Sequence, residues 1–229
     1  MPVAGVLLAA GLGRRLGQGV PKALSLLDGL PLLSRAASAL RDSGIVDQLV
    51  VVGPVGATPD VRAALAAALP AGSAVIVDGA DTRHGSLHSG LAAVGAEVDI
   101  VVIHDACRPL APADLVARVL KAIHSGADAA IPVVEVTETV KELDADGWIS
   151  RTVPRERLVR IQTPQAVRRV LIDEVHAGCG ADGLDELAAL APTDARLVTV
   201  DGDVDAFPVV LASDLAFAEA VLARRRQAG

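Results

Sequence analysis

Val3-Ala4-Gly5-Val6-Leu7-Leu8-Ala9-Ala10-Gly11-Leu12-Gly13-Arg14-Arg15 begins as an apolar run and ends in a glycine turn that carries two arginines. A short, continuous apolar run bounded by a turn reads as a strand covered on both faces. The same kind of run recurs at residues 49–52, 74–77, 100–104, 129–134 and 197–200. Between these runs the apolar residues are spaced near the helical period, at 32–40, 61–69, 87–94, 115–123, 167–175, 184–190 and 215–226. Alternation of this kind predicts crossover units and an α/β fold, a mostly parallel, Rossmann-like sheet in three α/β/α layers. Ligands of such sheets bind beyond the carboxyl ends of the strands, so chemistry is expected in the loops after Ala9, Val77 and His104.

Length and composition agree with that scaffold. A chain of 229 residues can build one sizeable core, and we read residues 1–229 as one domain. Hydrophobic residues make up 52% of it, yet the aromatics are only Trp148, Phe207 and Phe217. Binding of single-stranded nucleic acid needs aromatic platforms in a basic groove, and this chain has neither, with a net charge of -7. Nucleic acid is therefore not expected as a partner. No stretch is long enough to span a bilayer, and Met1-Pro2-Val3 leads straight into the first strand, so a cytoplasmic protein without membrane contact is expected. Cys107 and Cys179 lack metal-ligand spacing and read as small buried hydrophobes.

Residues 135–160 break the pattern. They are polar and rich in Thr, with Asp146-Gly147 set between 140–143 and 148–151, which signals a hairpin. Its Trp148 suits either packing against a partner subunit or an ordinary surface hairpin.

The first loop has the chemistry of an anion site. Small residues at Ala9, Ala10, Gly11 and Gly13 let the backbone approach phosphate oxygens, and Arg15 and Lys22 bring positive charge. A dinucleotide fingerprint would need a third glycine where Leu16 stands, and no Gly-Lys-Ser/Thr sequence completes a Walker loop. A triphosphate site remains, against the plainer reading of a tight strand-to-helix turn. At the end of the 100–104 run comes His104-Asp105-Ala106-Cys107-Arg108-Pro109. Asp105 is the expected magnesium ligand, since that ion takes one or two carboxylates together with substrate phosphates and water. His104 reads as a packing or hydrogen-bonding residue, and Arg108 as either a phosphate ligand or a bridge to a carboxylate. In Asp78-Gly79-Ala80-Asp81-Thr82-Arg83-His84-Gly85-Ser86, Ser86 either caps a helix or reads a base edge. Asp201, Asp203 and Asp205 read as a solvated acidic turn, with Asp205 the candidate for a second metal ligand.

Taken in order, these pieces resemble the 2-C-methyl-D-erythritol 4-phosphate cytidylyltransferase family. The resemblance runs through Ala9 to Arg15, Pro21-Lys22, Gly79 with Asp81 and Ser86, and the segment from His104 to Pro109. It continues through Thr139-Val140-Lys141, Thr152-Val153-Pro154-Arg155, Thr163-Pro164-Gln165, Asp185-Glu186 and the stretch from Ser213 to Glu219. It implies the nucleotide-diphospho-sugar transferase type of sheet with a protruding β-arm, a homodimer joined through residues 135–160, and CTP, magnesium and a sugar-alcohol phosphate as ligands. It also implies that Arg15, Lys22 and Arg155 are catalytic, that Ala10, Asp81 and Ser86 lie near the cytidine, and that Arg108, Thr139 and Arg155 receive the acceptor's phosphate. The chain departs from the family at Phe207-Pro208-Val209-Val210, because the family has a lysine where Pro208 stands. Proline offers no ammonium and no backbone N–H, which leaves open an acceptor other than methylerythritol phosphate, or a protein that binds nucleotide with little turnover.

Overall fold

The computed structural model describes residues 1–178, 187, 190 and 194–228. The chain runs β1 (Val3–Leu8), β2 (Leu26–Leu27), β3 (Leu30–Pro31), α1 (Leu32–Asp42), β4 (Gln48–Gly53), α2 (Thr58–Leu65), β5 (Val75–Asp78), α3 (Arg83–Ala92), β6 (Ile100–Asp105), α4 (Ala113–His124) and β7 (Ala129–Glu135). It continues through β8 (Val140–Leu143), β9 (Ile149–Val153), β10 (Val159–Ile161), β11 (Gln165–Arg168), α5 (Arg169–Gly178), β12 (Leu197–Asp201) and α6 (Ala212–Ala228).

Among the described residues the main sheet has eight strands, in the order β12, β7, β11 with β10, β6, β1, β4, β5. Its centre is parallel: Val6 of β1 lies between Val50 of β4 and Ile103 of β6. All of β1 is buried, and alternate residues feed opposite cores, as a two-residue side-chain period requires. Val3 and Leu7 pack with Leu33, Ala37 and Leu40 of α1, Val61 of α2, and Val116 and Leu120 of α4. Ala4, Val6 and Leu8 pack with Leu87 and Leu91 of α3 and Ile172 of α5. The three-layer architecture follows from that division. A third cluster joins Leu16, Leu27, Leu32 and Leu110 to Val209, Ala218 and Val221, seating α6 beside the first loop.

Two expectations change. Residues 167–168 are not helical: β11 runs antiparallel between β6 and β7, with Val167 opposite both Val101 and Ala129, and α5 starts only at Arg169. Val167 fits the apolar spacing of the following helix, but pairing in the sheet overrides that local pattern. The 61–69 helix is displaced toward the N-terminus and runs from Thr58 to Leu65, with Pro59 in its first turn, where a missing N–H costs nothing. The 184–190 helix and Cys179 fall largely or wholly outside the described residues, although Leu187 and Leu190 are buried against the α3 and α5 face.

The hairpin forms as expected. Among the described residues β8 and β9 pair only with each other, and Asp144 Oδ1 closes the turn by accepting from the N–H groups of Asp146 (3.1 Å) and Trp148 (2.9 Å). Gly147 supplies a φ of 86° there. Leu143, Trp148 and Ile149 are exposed on it, Trp148 by 72%.

Candidate active site

Loops after β1, β5 and β6 surround a cleft of about 750 Å³. After β1, Ala9 is still held by its N–H to the Val52 carbonyl (2.8 Å), and then the chain leaves the sheet. The Lys22 N–H returns to the Gly11 carbonyl at 3.2 Å, closing a broad turn. Gly13 makes this closure possible: its φ is 66°, and a Cβ there would sit 2.5 Å from Lys22 Cβ. Ala9, Ala10, Gly11, Leu12, Arg14 and Lys22 form this wall.

The opposite wall is Gly79, Ala80, Asp81, Thr82, Arg83 and Ser86. Thr82 is the N-cap of α3, its side chain accepting from the Gly85 N–H at 2.9 Å. Ser86 is therefore not a cap. It lies within the first turn, buried, and its hydroxyl accepts from the Ala80 N–H (3.0 Å) and donates to the Ala80 carbonyl (3.2 Å), fixing the turn before the helix. A Cβ on Gly79 would come within 2.5 Å of Ala10 Cβ and 2.9 Å of Ser86 Oγ, so the two walls meet only because residue 79 is glycine.

The floor is the end of β6. Asp105 faces the cleft, with Oδ1 accepting from Arg83 Nη2 (3.2 Å) and Nε (3.3 Å) and Oδ2 at 4.0 Å from Arg108 Nε. His104 is fully buried and does not line the cleft. Its Nδ1 lies 2.9 Å from Thr163 Oγ1, which also accepts from the Asp105 N–H at 3.0 Å. Burial holds His104 down to about 4, more than the nearby Asp105 can offset, so the ring is neutral and positional. Cys107 lines the cleft and is only partly buried, which corrects its reading as a core residue. Burial pushes its thiol up, with Asp105 adding to the effect, while the positive charges of Lys22 and Arg108 oppose it.

Several expected site residues lie elsewhere. Arg15 is exposed and outside the cleft wall, and Arg14 lines it instead. Gly13 shapes the loop without lining the cleft. Arg108, Thr139 and Arg155 are also absent from the wall. Arg108 donates to the carbonyls of Ala206 (2.7 Å) and Ile161 (3.2 Å), tying three segments together. Arg155 donates to the Thr137 carbonyl at the root of the hairpin, and Thr139 is exposed beside it. Asp205, the candidate second metal ligand, lies outside the cleft wall, and Arg224 and Arg225 of α6 both bind its carboxylate at 2.9 Å, tying that helix to the turn.

Arg14 and Cys107 line the cleft although the sequence gives neither a site role, and Arg83 lines it as well. All three sit inside motifs that were selected, and nothing in one dimension says which of two adjacent arginines turns inward. Among the described residues, no three His, Cys, Asp or Glu side chains gather around one point. Asp105, alone on the floor opposite a phosphate-sized glycine loop, still suits a magnesium ion that draws its other ligands from phosphate and water.

The comparisons with known proteins converge on one family. The model of 2-C-methyl-D-erythritol 4-phosphate cytidylyltransferase matches residues 3–224. The enzyme of that name from Frankia casuarinae is 42% identical over 222 residues, covering 97% of this chain and 82% of its own. The Streptomyces avermitilis enzyme is 40% identical, with 97% and 92% covered. Among solved structures, the Thermus thermophilus cytidylyltransferase superposes with a TM-score of 0.77 at 32% identity, covering 96% of this chain and 98% of that one. The Anaerococcus prevotii synthase reaches a TM-score of 0.84 at 23% identity over 97% of this chain and 98% of that one, and so speaks for the fold. With the glycine loop, Lys22 and Asp105 around one cleft and a family match along almost the entire sequence, this chain belongs to the 2-C-methyl-D-erythritol 4-phosphate cytidylyltransferase family.

Proposed function

We propose that the protein joins CTP and 2-C-methyl-D-erythritol 4-phosphate, giving 4-diphosphocytidyl-2-C-methyl-D-erythritol and pyrophosphate. The observation that carries this reading is the pairing of family membership with a cleft whose two walls differ in chemistry. One wall is a glycine loop with Arg14 and Lys22, suited to phosphate. The other is Gly79, Asp81 and Ser86, with carbonyl, carboxylate and hydroxyl groups suited to the edge of a base.

In the reaction, an oxygen of the acceptor's phosphate attacks the α-phosphorus. The bond from that phosphorus to the bridging oxygen breaks, and pyrophosphate leaves with the electron pair. No general base is needed, so rate comes from positioning and from charge aimed at the phosphates, the work we assign to Lys22 and Arg14. Arg15 would join them through movement of the loop that carries it. Asp105 would hold a magnesium ion, which when bound neutralises phosphate charge. The acceptor would meet Arg108, Thr139 and Arg155, the last two from the hairpin of a second copy in a homodimer. We also read the protein as cytoplasmic; no helix among the described residues is long and apolar enough to cross a membrane.

Pro208 favours a second reading, a different acceptor. It is exposed, and the next residue, Val209, is fixed by its N–H to the Cys107 carbonyl at 2.7 Å, so the segment is anchored beside the site without a lysine on it. Pyrophosphate release measured over four nucleoside triphosphates and a panel of polyol and sugar phosphates tests both. Release that needs CTP and methylerythritol phosphate supports the first reading. Release with CTP and another acceptor supports the second, and no release with any pair removes both.

A further inference from the structure

We infer that Thr163 is a positioning residue for Asp105: its hydroxyl accepts from the Asp105 N–H and donates to Nδ1 of His104, and this relay sets where the Asp105 carboxylate stands in the cleft. The inference rests on the reading of Asp105 as the carboxylate that holds the cation. β11 pairs with β6 in the register that sets Gln165 against Ile103, so Thr163 falls opposite Asp105. Pro164 stands between Thr163 and Gln165 and has no N–H with which to extend the ladder. There a side chain takes over from the main chain, and the Asp105 N–H reaches Thr163 Oγ1 at 3.0 Å.

His104 decides which way the hydroxyl points. Thr163 and His104 are both buried, with Nδ1 at 2.9 Å from Oγ1, and Nε2 meets no hydrogen-bond partner among the described residues. A proton on Nδ1 would leave two buried groups unpaired among those residues, the Nε2 lone pair and the Thr163 hydroxyl proton. With the proton on Nε2 the hydroxyl donates to Nδ1, and only the Nε2–H is left over, so this tautomer is favoured. A hydroxyl that donates is also a stronger acceptor, which tightens its hold on the Asp105 N–H. The segment carrying Thr163 is itself held. The Gln162 side chain donates to the Asp203 carbonyl (2.7 Å) and accepts from the Asp203 N–H (2.9 Å), and Gln165 Nε2 donates to the Gln162 carbonyl (3.1 Å). Thr163 is therefore a fixed point behind Asp105, as the partners that orient a metal-binding carboxylate need to be.

The test is calorimetry of CTP binding to the whole protein, with and without Mg2+. Thr163→Val keeps the side-chain shape and removes the hydroxyl, and it should weaken binding of CTP with Mg2+ about tenfold or more, the usual cost of losing a partner behind a metal ligand. Binding of CTP without Mg2+ should stay close to wild type, and Thr163→Ser, which restores the hydroxyl, should behave as wild type in both states. An unchanged affinity in Thr163→Val with Mg2+, or an equal loss with and without the ion, overturns the inference, because general damage to the cleft would weaken both states alike. Asp105→Asn separates the two levels: if it binds CTP with Mg2+ as wild type does, the assignment of the cation to Asp105 itself fails. Nitrogen NMR of wild type labelled with 15N-histidine needs no variant to fold and no ligand. His104 should appear as the Nε2–H tautomer, and an Nδ1–H tautomer overturns the relay.

Discussion

Gly13 and Gly79 show how differently two glycines can serve one site. Gly13 needs a left-handed backbone and the space that Lys22 occupies, whereas Gly79 needs only space, against Ala10 and Ser86. The sequence marks both positions as glycine and cannot tell these reasons apart. The same limit explains Asp205. Its acidic run reads as a solvated turn with Asp205 the candidate second metal ligand, and only the folded chain brings Arg224 and Arg225 onto it from a helix that follows. Lys22 was legible because a Pro-Lys pair shortly behind a glycine loop returns positive charge to a turn already shaped for an anion, and its backbone closes that loop. Lys22→Ala should lower kcat about 100-fold or more, as removing one preorganised charge from a transition state does. A kcat within threefold of wild type would show that its charge does not act in the chemistry.

The order and type of most elements could be read from apolar runs, because buried parallel strands and amphipathic helices leave strong periodic marks. The antiparallel insertion of β10 and β11 left none. Those strands are short, and their partners on β6 and β7 are set by tertiary pairing. The β2–β3 hairpin was missed too, although Asp28 and Gly29, with φ of 50° and 76°, make the two-residue turn that such a dipeptide favours. Close packing of α3 is a second hidden feature. A Cβ on Gly90 would lie 2.6 Å from Val6 Cγ1 and 2.8 Å from Val52 Cγ2, so α3 can rest on the sheet only with glycine there. Gly90→Ala should cost about 1–3 kcal/mol of stability through overpacking and should raise the KM for CTP, since α3 carries Arg83 and Ser86. Denaturant unfolding and steady-state kinetics check the two halves. An unchanged midpoint would mean that the helix accommodates the methyl group without strain.

Across the whole molecule, α3 and α5 meet at a histidine cluster. His176 stacks on His84 at 4.2 Å and lies 5.9 Å from His88. Burial first, then the neighbouring His84 and His88, hold His176 down to about 4, with only Asp173, itself paired to Arg169, acting the other way. The unfolded chain therefore takes up a proton near pH 6.5 that the folded one refuses until about 4, so stability is full above that window and falls as pH drops through it. Thermal unfolding should show a lower Tm at pH 5 than at pH 7, with a smaller difference in His176→Gln. Identical differences in the two proteins would assign the effect elsewhere.

The exposed apolar residues of the β8–β9 hairpin belong to the same scale. Leu143, Trp148 and Ile149 stand on a hairpin that pairs with no other strand among the described residues, and we expect them to be covered in a dimer. Light scattering should give a dimer mass for wild type and a monomer mass for Trp148→Glu combined with Ile149→Glu. A monomeric wild type, or a double variant that stays dimeric, contradicts that arrangement.

Whether this cleft transfers a cytidylyl group can be read from phosphorus NMR of the protein with magnesium, CTP and 2-C-methyl-D-erythritol 4-phosphate. An unsymmetrical diphosphate and inorganic pyrophosphate should grow in equal amounts. Release of inorganic phosphate without the diphosphate, or no change in the spectrum, would contradict that transfer.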